Sequence, residues 1–177
     1  EAAANGASEG VALAINVGGM LLAFIALVAL ADYILGSFGQ VIHFKDWAPS
    51  ASGIPSELSL TWFMAWIFSP ISFFMGIPWQ DCGGIAAILG KKTVFNEFVA
   101  YLDLAQTGTQ FSPRSLVIAS YALCGFANFS SIAIQIGGIG SLVPDRKKEL
   151  ARLGVFAVIG GSLSSFITAC FAGMLIP

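Results

Sequence analysis

Charge is what this sequence has least of. Asp, Glu, Lys and Arg make up 10% of its 177 residues, against about 25% in an ordinary soluble domain. Mean hydropathy is correspondingly high at +0.83. Charged residues are absent altogether from positions 10–31, 115–144 and 154–177. Each of these runs is longer than the roughly 20 apolar residues that cross a hydrocarbon core. Three of them in one short chain are more than a buried soluble core would use, so the chain reads as an integral membrane protein. Histidine is almost missing too: His43 alone cannot build a His-based metal site within the chain. Nor does it lie near Ser130 or Ser131 to activate either as a nucleophile, which speaks against an intramembrane enzyme. Cys82, Cys124 and Cys170 are odd in number and widely spaced, unlike a disulfide framework or metal cluster. They read as free thiols buried in apolar sequence. The chain starts at Glu1 without Met or a signal-peptide pattern and is expected to be part of a longer polypeptide.

What charge there is clusters. Asp145-Arg146-Lys147-Lys148-Glu149 with Arg152 forms the only dense charged loop. It is too short, and too close to apolar runs on either side, to be a nucleic-acid patch. The positive-inside rule assigns it to the cytoplasm. The last run then travels outward and leaves Pro177 on the external side.

Along the chain, residues 1–36 read as one long spanning helix ending at Gly36. Gly6, Gly10 and Gly18-Gly19 permit close helix contact there, although simple spanning without a special contact face fits equally well. Residues 37–57, rich in Gly, Ser and Pro, form a linker. Residues 58–78 come next as an apolar helix interrupted at Ser69-Pro70, with Trp62 and Trp66, and Trp79 just beyond its end, typical of a membrane–water boundary; an interfacial helix is expected. Residues 79–177 form a third unit. Within it, Asp81 to Ala105 is too polar for a lipid-facing span and too apolar for a solvated loop. Two half-helices over about 80–106, meeting near Val94 to Asn96, reconcile these features as a re-entrant hairpin, which survives at membrane depth only inside protein or beside a watery cavity. Asn96 is a suitable cap for the second half, and Glu97 then lies in its first turn, where the helix dipole favours an anion.

The run over about 113–143 holds Gly125, Asn128, Ser130 and Ser131 near its centre. A broken helix explains them: Gly125 permits the break and Asn128 caps the second half. A continuous helix with its hydroxyls bonded back to its own carbonyls is the alternative. Gly137-Gly138 and Gly140 lack the Lys-Ser/Thr of a phosphate loop and suit close packing. A last helix is expected over about 146–176. Two interrupted elements with polar residues at mid-depth are the pattern of a transporter substrate site. A charge at mid-membrane costs about 2.5–3.5 kcal/mol on insertion scales and usually serves a cavity. Glu97 therefore calls for a ligand, or for a structural partner in Lys91 or Lys92. With Asn128 and Ser131 it offers acceptors and donors suited to a neutral polyhydroxylated ligand. Phe126 and Phe129 offer apolar or stacking surface, or serve as ordinary core aromatics.

The stretches "NEFVAY" at 96–101, "ALCGFANFSSIAI" at 122–134, "GGIGSLVPDRKKEL" at 137–150 and the opening "EAAANGASEG" together resemble the concentrative nucleoside transporter family, in its C-terminal half and over essentially the whole chain. The resemblance implies an all-α, homotrimeric, secondary active symporter that imports nucleosides by an elevator motion. Its setting would be a bacterial inner membrane. It implies that 1–36 belongs to a trimerisation scaffold and that the residues after the linker form half of a moving transport domain. Glu97 would meet the ribose, joined by Asn128 and Ser131 with Phe126 beside them. The elements that contact the base and hold the coupling cation, sodium or proton, would lie in an N-terminal half that partners this one; no cofactor is expected here. The competing reading is an ion channel or ion-translocating subunit, with Glu97 and Asp103 lining its path.

Overall fold

A computed structural model describes residues 2–48 and 54–176. Glu1, residues 49–53 in the expected linker and Pro177, the expected external terminus, lie outside them. All secondary structure among the described residues is helical.

The chain opens on α1 (Ala2–Val41), about 60 Å long at 1.5 Å per residue. It does not stop at Gly36. Helix continues through Gly39, where a Cβ would lie 3.0 Å from Leu58 Cβ, so this glycine is there for a close approach inside the helix rather than to end it. A Cβ at Gly6, Gly10, Gly18 or Gly19 would meet nothing within 4 Å among the described residues, so no close helix contact requires glycine there. After a turn in which His43 takes a left-handed φ of 51°, the short α2 (Phe44–Trp47) falls inside the expected linker. Then α3 (Leu60–Phe74) runs unbroken through Pro70, against the expected interruption at Ser69-Pro70. Its start is fixed twice: Ser59 Oγ accepts from the Trp62 amide at 3.1 Å, and Asp32 Oδ1 on α1 accepts from the Leu60 amide at 2.8 Å. Thr61, Ala65, Phe68 and Ser72, three and four residues apart, are its buried stripe.

At Gly76, whose φ of 93° only glycine tolerates easily, the chain turns back into α4 (Trp79–Val94). The two helices pack closely; a Cβ on Gly90 would meet Met64 Cβ at 3.0 Å and the Thr61 carbonyl at 3.2 Å. From Asp81 to Gly90 every residue of α4 is buried. A second turn at Phe95-Asn96 leads into α5 (Glu97–Thr107). The apolar core lies between α3, α4, α6 and α8, with Ile85, Leu89, Ile118, Leu123 and Phe166 at its centre.

The middle uncharged run is two helices, α6 (Pro113–Leu123) and α7 (Phe129–Leu142), with a break between them. Gly125 keeps a negative φ, however; its task is steric, since a Cβ there would run into Ser165 Oγ of α8. Gly137 does allow close packing against α1, where a Cβ would meet Met20 at 3.1 Å, whereas one at Gly138 would make only ordinary contact with Val17 at 3.8 Å. The last helix, α8 (Lys147–Met174), buries Gly154, Val158, Ser165, Phe166, Ala169 and Gly173 along one stripe and exposes apolar side chains elsewhere. Among the described residues, only α1 and the segment from Pro144 to Met174 are long and apolar enough to cross a membrane unaided. At the end away from the charged loop, Asp81 Oδ2 accepts from Ser115 Oγ at 2.6 Å and from the Ser112 amide at 3.1 Å. Arg114 joins three elements there, donating to the Gly76 and Ile176 carbonyls at 3.2 and 2.8 Å.

Candidate functional site

The tip of the α4–α5 hairpin sits in the break between α6 and α7. Asn96 Oδ1 accepts from the Val99 amide at 3.0 Å and starts α5. Asn128 does the same for α7, accepting from the Ser131 amide at 2.7 Å. Both act as N-caps, the first-turn role that Asn fills well. Because Oδ1 of Asn128 must face that amide donor, its Nδ2 points the other way, and it donates to Glu97 Oε2 at 2.8 Å. Asn128 is fully buried and Glu97 half-buried. Among the described residues Glu97 Oε1 has no hydrogen-bond donor. The two residues that the sequence singled out separately, 31 positions apart, thus form one charge-assisted pair.

Ser130 fastens this crossing. Its Oγ lies 2.9 Å from the Phe95 carbonyl at the hairpin tip and 2.7 Å from Asn128 Oδ1, and its single proton serves one of them at a time. Ser131 Oγ donates to the Asn128 carbonyl at 2.6 Å, so its proton is engaged and its lone pairs remain as acceptors. Ser131 and exposed Phe126 line a small cavity of about 30 Å³ with Gln135 and α8 residues. That is far below the roughly 300 Å³ of a small-molecule site, so the residues lining it do not by themselves enclose a ligand. Phe129 is not part of it. It faces α1 across an apolar cleft with Phe24, Val28 and Ile136.

Neither lysine pairs with Glu97. Lys91 Nζ bonds Asp103 Oδ2 at 2.7 Å, and both line a different cleft of about 450 Å³ beside Asp81 and Gln110. Lys92 donates to the Ala122 carbonyl at 2.9 Å. The three cysteines are free, but only Cys82 is buried; Cys170 is half-buried and Cys124 is exposed at the helix break, where unwinding opens a position that a continuous helix would have covered. Sequence reasoning placed Ser130 in the central polar cluster without its contact to the hairpin tip, and passed over Gln135 and the contact of Lys92. Gln135 alone left a readable signal, standing four residues, one helical turn, beyond Ser131.

A half-buried carboxylate bonded to a buried amide, where a helical hairpin meets a broken helix in an all-helical, lipid-compatible fold, fits the interrupted-helix pattern of membrane transporters. The chain belongs to the family described as Na+ dependent nucleoside transporter C-terminus, which matches residues 1–173. It is 43% identical over 176 residues to the uncharacterized transporter YutK of Bacillus subtilis (strain 168), covering 99% of this chain and 41% of that protein. It is 41% identical over 181 residues to the nucleoside permease NupC of Helicobacter pylori (strain ATCC 700392 / 26695), again covering 99% of this chain and 41% of that protein. A solved structure of a CNTnw variant in its intermediate 2 state superimposes with a TM-score of 0.83 at 41% identity, covering 99% of this chain and 41% of that one. The chain thus spans about two fifths of these relatives' length. The relatives are transporters rather than enzymes, and this is an all-helical integral membrane protein of their kind.

Proposed function

We propose that this chain is the C-terminal half of a cation-coupled nucleoside importer and supplies the ribose side of its binding site. The observation that carries the reading is the Glu97–Asn128 bond of 2.8 Å at the crossing of hairpin and helix break. It orients Glu97 and leaves one carboxylate oxygen to accept from a sugar hydroxyl. Asn128 and Ser131 border the same ligand edge, and Phe126 covers its apolar face. The remaining wall, with the coupling cation, belongs to an N-terminal half, in keeping with the two-fifths coverage of the relatives. The hairpin is re-entrant at mid-depth, and α1 belongs to a trimeric scaffold past which the rest of the chain moves as an elevator. Exposed Trp66, Phe73, Phe74 and Trp79 set the α3–α4 turn at a membrane–water boundary. The channel reading is weaker, because Asp103 is engaged by Lys91 on a separate cleft and does not continue a path from Glu97.

Vesicles containing the complete transporter are expected to accumulate labelled uridine against its gradient when a sodium or proton gradient is imposed. Residues 1–177 alone are expected to insert and accumulate none. Cation current without nucleoside, and no uridine accumulation, would overturn the transport reading in favour of a channel.

The orientation we propose places the charged loop 145–152 in the cytoplasm of a bacterial inner membrane and the C-terminus outside. A cysteine at Lys147 is then expected to resist an impermeant thiol reagent applied to intact cells, while one at Ile176 reacts. The opposite labelling pattern overturns this orientation.

A further inference from the structure

Lys92 is the most deeply buried charged side chain among the described residues, at 1% exposure, and ribose recognition gives it no task. A buried ammonium needs partners to offset its lost hydration. Those of Lys92 are unusual: the Ala122 carbonyl at 2.9 Å and the Phe166 ring, whose centroid lies 6.0 Å away. It forms no ion pair with any described carboxylate.

Ala122 belongs to the last turn of α6, whose four final carbonyls have no partner within their own helix. Each is nevertheless bonded. The Tyr101 hydroxyl donates to Ser120 O at 2.7 Å, and the Cys124 and Gly125 amides donate to Tyr121 O and Leu123 O at 3.2 and 2.7 Å. Lys92 serves Ala122 O, and it alone among the four brings a full charge. A helix's carbonyl end is the negative end of its dipole, and at membrane depth such half-helix ends are places where transporters hold a cation. Gly125 lies beside the ammonium: a Cβ built there would stand in ordinary van der Waals contact with Nζ, at 3.6 Å. On the far side of the break, the carboxylate of Glu97 meets the amide end of α7 through Asn128. The hairpin tip thus presents positive charge to the carbonyl end of one half-helix and negative charge to the amide end of the other.

We propose that Lys92 is the tethered cation of the α6–α7 break: a positioning residue whose ammonium occupies the place an inorganic cation would take at the α6 carbonyl end, and which thereby holds Glu97 in register with Asn128. This rests on the reading of Glu97 as a nucleoside ligand. In the complete transporter, Lys92→Met keeps most of the length and apolar contact while removing the charge. Nucleoside affinity at saturating sodium is expected to fall at least tenfold, with turnover at saturating nucleoside changed less than threefold. In Lys92→Ala, ethylammonium is expected to restore at least fivefold of the lost affinity, and ethanol none. Met-variant affinity within twofold of wild type would sink the proposal, because packing rather than charge would then be what the site needs. Should the Met variant fail to assemble, the Ala variant prepared with ethylammonium decides: assembly and binding recovered by the amine alone support the proposal, and recovery by ethanol equally, or by neither, overturns it. Wild type in the same vesicles separates the two readings. If wild type binds no nucleoside, the ribose reading fails; if it binds and the Lys92 variants match it, only this inference fails.

Discussion

Glu97→Gln in the complete transporter is expected to weaken uridine binding by about ten- to over a hundredfold. Hydrogen bonds to a charged group are worth roughly 1.5–3 kcal/mol, and each 1.4 kcal/mol is about tenfold in affinity. Glutamine keeps the shape of the side chain but turns one acceptor oxygen into a donor, so the contacted sugar hydroxyl loses its acceptor. The uridine analogue lacking that hydroxyl, 2′-deoxy or 3′-deoxy, should bind wild type poorly and lose little more on mutation. Equal fold losses for uridine and both deoxy analogues, together with lower protein yield, would show that Glu97 has a structural role only.

Asn128→Asp is expected to have the larger effect at neutral pH. Aspartate caps a helix about as well as asparagine, so the Ser131 amide keeps its acceptor and α7 still starts at Phe129. The donor to Glu97 is lost, and two carboxylates come together where an amide and a carboxylate stood 2.8 Å apart. Like charges at about 3–4 Å repel by on the order of 4 kcal/mol at the effective dielectric of protein sites. Uridine binding should fall at least a hundredfold near pH 7 and recover on acidification, when one carboxyl takes a proton and again supplies a donor. Asn128→Ala should behave differently. It loses the cap and so leaves the buried Ser131 amide unpaired, a cost of about 1–3 kcal/mol, and its melting temperature drops whatever the pH. Measuring melting temperature and uridine affinity for both variants from pH 5 to 8 tests this. An Asp variant that binds like wild type at pH 7, or whose affinity and melting temperature do not rise on acidification while the Ala variant stays unstable at every pH, would rule out the proposed division between capping and pairing.

Much of the fold could be read from residues acting locally. Asn96 and Asn128 each precede an apolar stretch, and the capping they suggested is what they do. The unbroken apolar faces of α1 and α8 needed no partner to declare themselves. The extension of α1 through Gly36 to Val41 was hidden because glycine's low helix propensity is overridden by a contact: Gly39 lies against Leu58, 19 residues away. Gly125 was readable as a break but not for its cause, which is Ser165 on α8. Lys91 and Lys92 show the limit most plainly. Adjacent and chemically identical, they point about 100° apart around α4, one to Asp103 and one to Ala122. Nothing in the local sequence says which lysine does which.

The sequence by itself determined that this chain lives in a membrane and that it is helical, and it singled out Glu97 and Asn128 as the polar residues to account for. These conclusions come from hydropathy, capping preference and the cost of an intramembrane charge, all of which act within a few residues. Only the tertiary structure decided that Asn128 holds Glu97, that Ser130 ties the break to the hairpin tip, that Phe129 turns away from the site toward α1, and that a buried lysine faces the carbonyl end of α6. Those choices depend on which helix ends are brought together across 30 or more positions of chain, and a buried polar atom's partner is set by that geometry rather than by its neighbours in sequence.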